Sequence, residues 1–141
     1  MSWQTLVEQG NVAYASNNWS ESEDLYRQAL TLIEQKWLHD AEQFPVFMAW
    51  VSVLHNLSEL YESQSRNDDA LRYLLVPHDR MLALSCDVSF SKQFQQQVIK
   101  AMSVTLLPIL SYAKRHPSCE DCMRGLQDEL LMSAAAGQTI N

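Results

Sequence analysis

The sequence predicts an all-α fold of stacked antiparallel helix pairs, about six helices in one domain over residues 1–141, and three observations predict it. Glycine and proline number only 3 and 4, where average usage gives roughly 10 and 7, and hairpins and sheets consume both for their turns. Apolar residues recur at intervals of three and four, the period of a helix, along most of the chain. Polar or proline-bearing breaks cut that pattern into segments of helical length. With 47% hydrophobic and 19% charged residues, a chain of this size buries on the order of 68–70% of its unfolded surface and needs no disulfide or metal to hold a core.

The first element runs from about Ser2 to Ser16, with Leu6, Gly10, Ala13 and Tyr14 along one side. After the Asn17-Asn18 break, Ser20 and Glu23 have capping-box spacing and open a second helix. Leu25, Tyr26, Ala29, Leu30, Ile33 and Trp37 carry its stripe to about His39. Pro45 suits the first turn of a third helix, striped by Phe47, Trp50, Val51, Leu54, Leu57, Ser58 and Tyr61 to about Ser65. Asn67-Asp68-Asp69 supplies a cap and an acidic first turn for the fourth, with Ala70, Leu71, Leu74 and Leu75. Pro77 is expected to kink or end that helix, and residues 78–86 to resume it. A fifth helix from about Ser91 to Arg115 carries Phe94, Val98, Ala101, Met102, Thr105, Ile109 and Tyr112, bent at Pro108 and stopped by Pro117. Ser118 caps the sixth, with Cys119, Met123, Leu126 and Leu130. The helices fall into pairs over about 2–39, 46–86 and 91–135.

Charge and composition narrow the function. Ten Lys and Arg against 17 Asp and Glu leave a net charge of −7, which repels phosphate backbones and anionic lipid, so neither nucleic acid nor a membrane is an expected partner. The longest apolar stretch, Val104 to Leu110, falls far short of the roughly 20 residues of a membrane span. The N-terminus lacks the basic opening and apolar run of a signal peptide, and three cysteines suit free thiols, so a cytoplasmic location is expected. His39, His55, His78 and His116 are scattered, and neither a glycine-rich phosphate loop nor a nucleophile elbow occurs. An enzyme is not expected, nor a cofactor.

The first pair carries a recognisable motif: Gly10-Asn11-Val12-Ala13-Tyr14, the two-asparagine turn, Trp19, Tyr26, Ala29-Leu30 and Leu32. It resembles a tetratricopeptide repeat, with Gly10, Trp19, Tyr26 and Ala29 standing in the family's packing positions and Ser22 where the family usually has alanine. Leu54, Leu57, Ser58, Tyr61, Ala70 and Leu74 match less closely in the second pair, and Pro77 takes the place of the late alanine. Superposing Ser58 on Gly10 gives a period of 48 residues, longer than the family's period of about 34. The third pair corresponds through Leu107, Leu110, Cys119, Met123 and Leu126. In size and in its degenerate pairs the chain is also similar to some small bacterial proteins of unassigned function.

The resemblance implies an α-solenoid that holds a protein or peptide in its concave groove. Carried over by position, the groove residues are Val7, Asn11 and Tyr14 from the first pair and His55, Asn56, Glu59 and Glu62 from the second. Asn11 and Asn56 match the asparagines of members that grip a C-terminal carboxylate, but Val7, Ala101 and Thr105 stand where such members carry positive charge. With Glu8, Glu59 and Glu62 nearby, the implied partner is a basic or amide-rich segment.

Two other readings stay open. Cys119, Cys122 and His116 supply soft ligands of the type zinc accepts, pointing to a thiol- or metal-dependent sensor, although no fourth ligand lies close in sequence and structural thiols are the favoured reading. Leu130-Leu131-Met132 makes a poor polar cap, so a homodimer through the C-terminal helix is the other. Trp3, Trp37 and Trp50 are either partner anchors or core.

Overall fold

A computed structural model describes residues 1–117. Every regular element among them is a helix: α1 (Trp3–Ala15), α2 (Trp19–His39), α3 (Phe44–Ser63), α4 (Asn67–Cys86), α5 (Lys92–Lys100) and α6 (Met102–Arg115). The all-α expectation is met, and neighbouring helices pack in pairs. The chain divides into two compact units, Met1–Leu74 and a second from Leu75 onward. Helix α4 contributes its first part to one and its remainder to the other, so the pair expected over 46–86 is shared between them.

In the first unit Ser2 caps α1, its hydroxyl accepting from the Thr5 N–H at 3.2 Å. The chain then turns back on itself through a Schellman-type close. Asn17 takes the left-handed conformation (φ 61°), and its N–H and that of Asn18 donate to the Tyr14 and Ala13 carbonyls at 3.0 and 2.9 Å. Antiparallel to α1, α2 packs close to it at Gly10, because a Cβ there would stand 2.6 Å from the Tyr26 ring. The Ser22 hydroxyl, wholly buried, seals the crossing by donating to the Gly10 carbonyl at 2.9 Å.

The turn recurs 48 residues later. Ser65 takes the left-handed conformation (φ 58°), and the N–H groups of Ser65 and Arg66 donate to the Glu62 and Tyr61 carbonyls at 3.0 and 2.8 Å. The interhelical bond recurs with the roles exchanged, Ser58 of α3 donating to the Ala70 carbonyl of α4 at 2.7 Å. Two copies of one helix-turn-helix unit therefore make up this part of the chain.

Between the copies, α2 and α3 run antiparallel. Trp37 meets the edges of Phe47 and Trp50 at ring-centroid distances of 4.9 and 5.8 Å near one end, and Tyr61 meets Glu23 and Arg27 near the other. Trp50 and Phe47 are core, and half-buried Trp37 closes the aromatic cluster over them. Pro45 occupies the first turn of α3, as its missing donor favours. One local expectation fails: the cap of α2 is Asn18 rather than Ser20, and Glu23 is drawn away to Tyr61 and Arg27 instead of folding back on the first turn.

The second unit contains the remainder of α4, α5 and α6. Pro77 lies inside α4 and does not end it. Ser91 caps the next helix, accepting from the Phe94 N–H at 3.2 Å. The single helix expected from Ser91 to Arg115 is two, interrupted at Ala101, whose φ of −89° and ψ of 0° belong to a turn. Helix α6 passes through Pro108 and ends before Pro117. Phe94, Val98, Met102, Leu106, Ile109 and Tyr112 are buried, whereas Leu107 is exposed. The sixth predicted helix, from Ser118, lies outside the described residues.

Candidate functional site

The groove residues carried over from the first two pairs all lie in the first unit, and a bond between two hydroxyls brings their helices together. Tyr14 of α1 and Ser63 of α3 are 2.7 Å apart. Ser63 spends its one proton on the Glu59 carbonyl at 3.0 Å, so Tyr14 is the donor between them. Beside this bond, Tyr26 donates to the Asn11 side-chain oxygen at 2.5 Å. That bond fixes the amide so that its NH2 points away from Tyr26, on an exposed residue. Burial pushes the Tyr26 hydroxyl above the usual tyrosine range, against the pull of Ser22, and the nearby Glu59 charge pushes it further. Asn11, Tyr14 and Glu59 are thus gathered around Tyr26 and Ser63.

His55, Glu59 and Glu62 share a stripe of α3. His55 is half-buried, its Nε2 is shut off from solvent without a hydrogen-bond partner among the described residues, and burial lowers its pKa below the ordinary histidine value. Val7 and Glu62 are also half-buried. Asn56 falls off this stripe, nearer Ser63 by the helical period. Under the 48-residue correspondence Asn11 pairs with Glu59, and Asn56 with Glu8, so Asn11 and Asn56 are not equivalent positions.

A second polar cluster has no counterpart in the sequence reading. The Tyr61 hydroxyl donates to Glu23 at 2.7 Å and accepts from Arg27 at 2.5 Å, while Arg27 also bonds Glu23 at 3.1 Å. Arg66 reaches Glu23 at 3.6 Å and Asp69 at 3.0 Å, with its guanidinium 4.3 Å above the Tyr61 ring. Burial favours a neutral Glu23, yet the Tyr61 bond and the charges of Arg27 and Arg66 outweigh it and hold the carboxyl below its usual range. The same burial, with the bond to Glu23, pushes the Tyr61 hydroxyl well up. Ion pairs this exposed add little singly, but here they share partners and join α2, α3 and α4 at one point. Glu23 and Tyr61 each carried a different expectation from local spacing, which is why this partnership was missed.

The remaining candidates fare differently. Thr105, matched to a groove position of the third pair, is wholly buried, 3.0 Å from the His78 Nδ1. His116 packs on the Tyr112 ring at 4.6 Å, and Cys119, Cys122 and the Leu130–Met132 stretch lie outside the described residues. Among the described residues no group of three or more His, Cys, Asp or Glu is placed to hold a metal, and no helix is long and apolar enough to cross a membrane.

Neither the curated proteins nor the solved structures offer a match to this chain. A family model described as protein of unknown function (DUF2753) matches residues 1–139, and the chain belongs to that family.

Proposed function

We propose that this protein is a cytoplasmic protein–protein interaction module, acting as an adaptor, assembly factor or chaperone, that holds a basic or amide-rich partner segment against α1 and α3. The Tyr14–Ser63 bond carries this reading, because it sets side by side the exposed Asn11 amide and the exposed Glu59 carboxylate. An extended segment lying along that face offers its backbone carbonyls to the Asn11 amide and a Lys or Arg to Glu59, while Tyr14 supplies an amphipathic ring for its apolar side chains. The tetratricopeptide resemblance of residues 3–35 and the repetition of the first turn 48 residues later support the same use.

The test is affinity capture from the native organism with the wild-type chain and with Tyr14→Ala/Glu59→Lys, followed by binding of synthetic segments from the captured protein. The expected result is one protein enriched by the wild type and lost with the variant, contacting through a basic or amide-rich segment. Identical captures from both baits, or recovery of the bait alone, would remove the reading.

A further inference from the structure

The 48-residue correspondence exposes a second surface, distinct from the α1/α3 face. In α3, Val53, Leu57 and Leu60 are buried. By the helical period they fall between Ser63, which bonds α1, and Trp50 and Tyr61, which meet α2. They form the seam through which the second copy sits on the first. Their equivalents in α1 are Thr5, Gln9 and Val12, and no helix among the described residues covers these. Val12 is 67% exposed, at the place where Leu60 is fully buried. A hollow of about 630 Å³ opens there between α1 and the start of α2.

The charges of the hollow can be read against the internal seam. There the preceding helix inserts Glu23, which accepts from Tyr61 and pairs with Arg66 beside Asp69. In the hollow, Tyr61 is replaced by Ala13, which makes the space, and Arg66 by Asn18, which removes the cation. Asp69 keeps its sign as Glu21, and Asn56 becomes Glu8. Both carboxylates line the hollow, and among the described residues its lining holds no Lys, Arg or His and neither carboxylate has an ion-pair partner. A carboxylate is what the internal seam accepts. A cation is what this one accepts.

We propose that the exposed face of α1 docks an amphipathic helix of a partner protein, in the manner in which α3 receives α2, with an Arg or Lys of that helix entering the hollow. Its aliphatic stem lies on Val12 and Ala13 and its charged head reaches Glu8 and Glu21. The partner's apolar residues cover Val12 and the methyl of Thr5.

The test uses the full chain and two blocked, hydrocarbon-stapled 18-residue helices with one leucine face, carrying either two arginines or two glutamates one turn apart at its border. Binding is read by peptide fluorescence anisotropy and by the Val12 methyl resonances. The arginine helix is expected to bind and to shift Val12. Glu8→Gln/Glu21→Gln weakens it at least tenfold, while Glu8→Lys/Glu21→Lys makes the glutamate helix the better ligand. Tyr14→Ala/Glu59→Lys leaves this binding unchanged, which separates it from the α1/α3 reading. Failure of both helices to move Val12, or arginine-helix binding indifferent to the Glu8 and Glu21 changes, overturns the proposal. So does light scattering that shows a dimer abolished by Val12→Asp, which would assign the face to a second copy of this chain.

Discussion

Asn17 and Ser65 hold the same left-handed backbone state, φ 61° and 58°, at equivalent points of two turns 48 residues apart. The state costs them unequally, because asparagine tolerates it and serine, lacking the amide, does not. Glycine at either site relieves the Cβ contact and gives back part of that gain by loosening the unfolded chain. Ser65→Gly should therefore stabilise the first unit by about 0.5–1 kcal/mol, and Asn17→Gly by less. Urea midpoints with unchanged slopes check the order of the two, and a larger gain at Asn17 would contradict the account.

Gly10 has the reverse requirement. Its φ is ordinary, so alanine there gains up to about 1 kcal/mol of helix propensity. Against this, the new methyl meets Tyr26 carbons at 2.6 and 2.8 Å. Tyr26 is 3% exposed and tied to Asn11 through its hydroxyl, so the ring can retreat only by breaking that bond or parting α1 from α2. Gly10→Ala is expected to destabilise by about 1–3 kcal/mol, the usual range for overpacking. Adding Tyr26→Leu should recover part of the loss, and a double-mutant cycle in urea measures it.

The same two residues show how much the sequence carries. A glycine sixteen residues before a tyrosine, at helical register on both sides of a polar turn, encodes a close crossing, and the crossing is there. The helices were legible because their stripes are periodic and their ends are marked by Ser2, Ser91 and Pro117. The interruption at Ala101 was not, since Phe94, Val98, Met102, Thr105 and Ile109 keep their three-and-four spacing straight across it. Nor could spacing show that Glu23 forsakes a local cap for Tyr61, 38 residues away. Caps are chosen locally, and a buried hydroxyl flanked by two arginines outbids them. On the candidate face, Asn11 and Tyr14 were reached only through the tetratricopeptide resemblance. Tyr26 and Ser63, which orient them, were hidden because one reads as core and the other as a helix end.

Glu23 predicts a specific acid sensitivity. Its carboxyl titrates lower in the folded chain than the ordinary value of 4.5, so the folded state binds the proton less readily than the unfolded one. The stabilisation is complete above about pH 4.5 and is lost as pH falls through the lowered folded value. Glu23→Gln should cost about 1 kcal/mol at pH 7, since its arginine partners are screened by solvent, and should flatten the acid limb of the stability curve. Tyr61→Phe should move the limb to higher pH by removing the bond that holds the charge. Urea unfolding at pH 7, 5, 4 and 3 distinguishes these, and an acid limb identical to wild type in both variants would remove Glu23 from it.

His55 acts in the opposite sense of charge and in a higher window. Burial lowers its pKa below the ordinary 6.5, so between the lowered value and 6.5 the unfolded chain takes up a proton that the folded chain refuses. Stability is therefore full above about pH 6.5 and declines as pH drops toward the folded value, below which the dependence ends. Imidazole resonances should titrate with a midpoint under 6.5 for His55, and His55→Gln should remove the slope while leaving the limb due to Glu23 intact. A partner cation held at Glu59, one turn along α3, would depress the His55 midpoint further, because two positive charges on one stripe repel. The same titration repeated with a bound basic segment then reports where that segment lies: a lower midpoint places its charge on the α1/α3 face, and an unchanged one places it elsewhere.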